Sequence, residues 1–210
     1  MNLSMSEEQE MLRKMARDFL TNECPKKLVR EMEEDPNGYV PELWKKMAEL
    51  GWMGIALPEQ FGGGGGSFLD LGILLEEMGR ACLPGPFFST VVLGAMTLMD
   101  AGSEEQKKSI LPQVASGKAI LTLALTEPSA TWQASGVKLD ATMKGDAFVL
   151  NGTKLFVPDA NVADWLICVA RTGHGKKPED GITLFLVDAR SPGIKCNALK
   201  TIASDNQCEV

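Results

Sequence analysis

Apolar positions recur every three to four residues over the first part of this chain and then switch to alternation near residue 117. Ser6 with Gln9 makes a capping box, in which hydroxyl and amide each satisfy a free backbone N–H at a helix start. Leu12, Met15, Ala16, Phe19 and Leu20 then fall on one face. Pro41 opens a second helix carrying Leu43, Trp44, Met47 and Leu50, and Gly51 is placed to end it. Ser67 with Asp70 starts a third through Leu71, Leu74, Leu75 and Met78. Phe87 to Ala101 is apolar nearly all round, which predicts a buried helix. Ser103 with Gln106 caps the last, which Pro112 bends or stops.

From Lys118 the period is two. Val137, Leu139, Ala141 and Met143 interleave with Lys138, Asp140 and Thr142, the mark of a half-buried strand. Asn151-Gly152 between two apolar runs predicts a hairpin. Trp165 to Ala170 and Ile182 to Val187 read as central strands, with the polar, mobile loop Thr172 to Gly181 between them. The predicted fold class is α+β: an all-α helical bundle over residues 1–117, then an antiparallel β-barrel or sandwich over 118–210.

Composition narrows the classes of function. The chain has 210 residues, 44% hydrophobic, enough for packed cores. A net charge of −7 with no basic block argues against nucleic acid as a partner. Cys24, Cys82, Cys168, Cys196 and Cys208 are scattered without metal-ligand spacing, so reduced thiols are expected and no metal. The N-terminus MNLSMSEEQE is acidic and amphipathic, unlike a signal peptide, and no apolar run reaches the roughly 18 residues of a membrane span. These features predict a soluble, cytoplasmic protein.

Several motifs fail on their chemistry. The run Gly62 to Gly66 lacks the Lys and Ser/Thr that complete a phosphate-binding loop, and reads as a flexible connector. His174, the single histidine, lies in the polar loop and leaves no triad to build. Glu7-Glu8 and Glu76-Glu77 read as solvated helix faces.

The stretch Leu121 to Ala130 is more informative. An apolar run stops at Thr126-Glu127-Pro128, where the periodicity has just changed, and leaves a hydroxyl at a strand end. This order of segments resembles the acyl-CoA dehydrogenase family. The likeness rests on LPEQFGG (Leu57 to Gly63), GSEEQKKSILPQVASGK (Gly102 to Lys118), ALTEP (Ala124 to Pro128) and NGTKLFV (Asn151 to Val157), with matching spacing between the second and third.

The resemblance implies an N-terminal helical domain, a middle β-domain and a C-terminal four-helix domain, with FAD between the last two. It implies α,β-dehydrogenation of an acyl-CoA thioester, with hydride transfer to the flavin and electrons passed to an electron-transferring flavoprotein. Leu125 and Thr126 match positions that contact the flavin ring, and such donors favour charge on the reduced ring. Phe156 and Val157 match the segment that lays an aromatic face near it, Phe156 replacing the family's usual tryptophan. Two positions depart: Trp132 stands in place of a serine, and Pro158 in place of a threonine beside the flavin, where proline has no hydroxyl or N–H to donate.

The chain ends at Cys208-Glu209-Val210, inside a strand of the middle domain, and no carboxylate matches the family's catalytic glutamate. The expectation is therefore the N-terminal and middle portion of a dehydrogenase, inactive alone, without a catalytic residue of its own. Its open strand edge and uncovered helix faces imply a homo- or hetero-oligomer. The alternative is a non-catalytic structural subunit of a heteromeric dehydrogenase complex, favoured by Trp132 and Pro158.

Overall fold

The computed structural model describes residues 4–210; Met1, Asn2 and Leu3 of the acidic N-terminal stretch lie outside the described residues. The first half is helical: α1 (Glu7–Glu23), α2 (Lys26–Glu34), α3 (Pro41–Glu49), α4 (Phe68–Ala81), a π-wound stretch (Phe88–Met96) that runs into α5 (Thr97–Ala101), and α6 (Glu104–Ala115). Capping boxes form at Ser6/Gln9, Ser67/Asp70 and Ser103/Gln106, so α1, α4 and α6 start where the sequence places them. Gly51 follows α3 at φ 76°, a left-handed position that favours glycine. Ala16 and Leu20 of α1 join Leu71, Leu74 and Met78 of α4 in a core completed by Trp52 and Phe87.

Three expectations in this half change. Pro112 does not stop α6, which continues to Ala115; burial of Leu111, Val114 and Ala115 holds the last turn despite the lost backbone bond. Glu77 is not on a solvated face, for only its neighbour Glu76 is exposed. Glu77 lies three residues after Leu74 on the buried stripe of α4 and is 1% exposed, with Arg17 Nη2 at 2.6 Å and Arg80 Nε at 2.7 Å. The glycine run is not a loose connector either. Gly63, Gly64, Gly65 and Gly66 donate their N–H groups to the carbonyls of Pro58, Gly54, Leu57 and Ile55.

The second half holds β1 (Leu121–Ala124), β2 (Ala141–Lys144), β3 (Ala147–Leu150), β4 (Val157–Pro158), β5 (Trp165–Arg171), β6 (Ile182–Asp188), β7 (Asn197–Leu199) and β8 (Gln207–Glu209). They form three short sheets, ordered β1-β5-β6, β2-β3 and β4-β8-β7. Pairing is antiparallel except between β1 and β5, which run parallel because a long crossover separates them. Among the described residues no barrel closes.

The predicted hairpin at Asn151-Gly152 does not form. β2 and β3 turn instead at Gly145-Asp146, where Gly145 takes φ 61° between the closing pair Lys144 and Ala147. After β3 the chain leaves its partner, and Lys154 exchanges both backbone hydrogen bonds with Val210. Gly152 serves a close approach: a Cβ there would come within 3.0 Å of the Leu139 side chain.

The halves share one seam. Gly94 of the π-wound stretch lets Leu121 of β1 approach so closely that a Cβ at Gly94 would lie 2.4 Å from the Leu121 Cβ. The Thr90 hydroxyl accepts from Leu121 N at 3.3 Å, and the Trp44 indole donates to Gly117 O at 2.8 Å. β1 is therefore fixed from both sides, by helix on one and by β5 on the other.

Candidate functional site

The end of β1 meets a second segment running the other way. Thr122 Oγ1 donates to Pro158 O at 2.6 Å, and Leu155 N donates to Thr126 O at 2.8 Å. Residues 122–127 and 154–158 thus lie side by side, which brings all four sequence-predicted contact residues, Leu125, Thr126, Phe156 and Val157, into one region.

Their environments differ. Val157 is fully buried, paired across the sheet with Cys208. Phe156 is 51% exposed and sits at φ 52°, a strained backbone for a bulky residue. Thr126 is buried to 9% exposure, and among the described residues neither its hydroxyl nor its N–H has a hydrogen-bond partner. A strand-end threonine whose hydroxyl and N–H are free to bond outward, beside a half-exposed aromatic ring, joins polar and apolar groups at one place. Thr126 thus offers polar groups and Phe156 apolar area on one stretch of surface.

Behind the wall lies a polar cluster that the sequence reading did not single out. Lys154 is 2% exposed, and its ammonium donates to Leu125 O at 3.1 Å and to Glu127 Oε1 at 2.8 Å. Glu127 also accepts from Leu139 N at 3.1 Å and Lys138 N at 2.9 Å. Burial opposes ionisation of Glu127, but the Lys154 hydrogen bond and the two backbone donors outweigh it and hold the carboxyl below its usual range. Lys154 also lines a cavity of about 330 Å³, walled by Ala124, Leu139, Leu166, Cys168 and Val187. Both residues sit inside the quoted motifs, in ALTEP and NGTKLFV, and the signal for them was a single acid in one motif and a single base in the other.

A second buried cation ties down the outer loops. Arg171, at the end of β5, donates to the carbonyls of Val137, Asp180, Ala134 and Pro178 at 2.6 to 2.8 Å. The polar loop after β5 and the turn before β2 are thereby held to the sheet. Of the two departures, Trp132 stands 83% exposed on the loop after Pro128. Pro158 keeps a role through its carbonyl, which accepts from Thr122.

Comparison with known proteins agrees with this architecture. Residues 6–118 match the acyl-CoA dehydrogenase N-terminal domain, and residues 122–210 match the acyl-CoA dehydrogenase middle domain. The chain belongs to the acyl-CoA dehydrogenase family. It is 37% identical over 198 residues to a probable acyl-CoA dehydrogenase, YngJ, of Bacillus subtilis, a match covering 92% of this chain and 51% of the relative. Among solved structures it is similar to an acyl-CoA dehydrogenase from Geobacillus kaustophilus (TM-score 0.88, 26% identity, 100% of this chain and 56% of that one). It is also similar to a chain of the ChsE4-ChsE5 complex from Mycobacterium tuberculosis (TM-score 0.87, 27% identity, 100% of this chain and 54% of that one). The chain spans about half the length of the curated relatives it matches.

Proposed function

We propose that this chain forms the helical and middle parts of an FAD-dependent acyl-CoA dehydrogenase that works on acyl-CoA thioesters and passes electrons to an electron-transferring flavoprotein. One observation carries the reading: Thr126, its hydroxyl and N–H both without a partner among the described residues, lies beside the segment that carries the half-exposed Phe156, in a chain of this family. Leu125 and Thr126 would hold the ring of the cofactor by backbone and hydroxyl groups, and Phe156 and Val157 would cover it. When bound there, FAD supplies the hydride acceptor for α,β-dehydrogenation. The residues of this chain do the rest by orienting that ring and excluding water from it: Phe156 by its apolar face, Val157 by filling the layer beneath. Among the described residues no helix is long and apolar enough to cross a membrane. We place the protein in the cytoplasm, within a homo- or hetero-oligomer.

The test is flavin binding. The full-length protein is expected to take up FAD, seen as the visible flavin absorbance, and Thr126→Val to weaken that binding about 10-fold, the worth of one hydrogen bond. A colourless protein that leaves added FAD in solution overturns the reading. A second reading, a non-catalytic subunit of a heteromeric complex, is favoured by Trp132 and Pro158 and by the likeness to a chain of a two-component complex. Colourless protein co-purifying with a second dehydrogenase chain supports that alternative.

A further inference from the structure

The buried Glu127–Lys154 pair asks for a reason beyond stability. Desolvation largely offsets the attraction between two buried charges, so an apolar pair of equal volume would hold these strands at least as well. The ammonium does something a methyl group cannot. It donates to the Leu125 carbonyl at 3.1 Å, and that carbonyl shares one rigid peptide plane with the Thr126 N–H. Withdrawing electron density at the oxygen strengthens the N–H as a donor, and that N–H is the group left unpaired among the described residues. The following peptide plane is fixed separately, by Leu155 N on Thr126 O at 2.8 Å. Glu127 completes the arrangement: one oxygen holds the ammonium and Leu139 N, the other Lys138 N.

We propose that Glu127 and Lys154 are a positioning pair for the flavin contact: Lys154 orients and polarises the Leu125–Thr126 peptide, and Glu127 anchors Lys154. The inference rests on the flavin reading above. Neither residue is catalytic, because both act through Thr126. A donor strengthened in this way favours the reduced, more negative ring, so the pair raises the reduction potential of a bound flavin.

The experiment uses the full-length protein loaded with FAD. Glu127→Gln with Lys154→Met removes both charges together and leaves neither buried alone. The double variant is expected to keep its helix and strand content, to bind FAD about 10-fold more weakly, and to shift the flavin midpoint potential to more negative values. Glu127→Gln alone, which keeps the shape and the acceptor, is expected to move both readouts the same way by less. If the pair served only to hold strands together, the melting temperature would fall while affinity and potential of the folded fraction stayed unchanged, and the inference would be overturned. Should the double variant not fold, the single variant is read by the same criterion. Unsubstituted protein that takes up no FAD overturns the proposed function itself, and so separates that failure from this one.

Discussion

Glu77 shows how far a single residue can stray from its sequence pattern. Adjacent acids on a helix point about 100° apart, so Glu76 faces water while Glu77 shares the stripe of Leu74 and Met78. The hydrogen bond from Arg17, against the opposing cost of burial and with a further bond from Arg80, holds the Glu77 carboxyl down at about 2. A carboxyl depressed in the fold from an unfolded value near 4.5 contributes stability above that value and loses it as pH falls toward 2. Because Arg17 and Arg80 are half exposed, the contribution is discounted to about 1–2 kcal/mol. Urea unfolding at about pH 6 and about pH 3 is expected to show that loss in the natural chain and a flatter acid limb in Glu77→Gln; equal acid slopes would refute it. The sequence singled out Thr126 as a hydroxyl ending an apolar run within a family-like motif, whereas Lys154 and Glu127 reveal their pairing only when the chain brings residues 27 apart together.

Among elements, those with local signals were the ones the sequence specified well. Three capping boxes, a proline-opened helix and two apolar strands lie where their side chains put them, because each signal acts within one turn or one strand. Glycines mislead because the residue marks either a turn or a close approach. Gly152 belongs to the second kind, and so do Gly63 and Gly66, whereas Gly62 and Gly65 take positive φ. A Cβ at Gly63 would sit 2.0 Å from the Leu57 carbonyl oxygen, where backbone cannot give way, whereas at Gly64 its nearest neighbour would be 3.5 Å off. Gly63→Ala is therefore expected to cost about 3 kcal/mol or prevent folding, and Gly64→Ala to stay within about 1 kcal/mol of the natural chain. Thermal melts of the two variants decide this, and similar melting temperatures would remove the argument.

At the scale of the molecule, the change of period does not divide the core. Leu57, Ala95, Leu98, Leu111 and Val114 from the helical half pack in one cluster with Leu121, Ile167 and Leu186 from the strands. Units that share buried side chains to this extent unfold together. Calorimetry is expected to give a single transition for this chain, with calorimetric and van't Hoff enthalpies equal; two resolved peaks would show that the halves are independent. The order of helices before strands was legible, but the sheet arrangement was not. Parallel pairing of β1 with β5, and the open sheets in place of a barrel, depend on partners more than 40 residues apart, as in Leu121 with Trp165, and alternation carries no information about partner choice.

The backbone at Phe156 has one more consequence. A large side chain at φ 52° costs on the order of 1–3 kcal/mol, and the surrounding sheet bears that cost when the chain folds. The ring is thus held half out of the surface before any visitor arrives. The flat cofactor proposed above would find a stacking face already deployed there, and would surrender little of its affinity to rearranging the host.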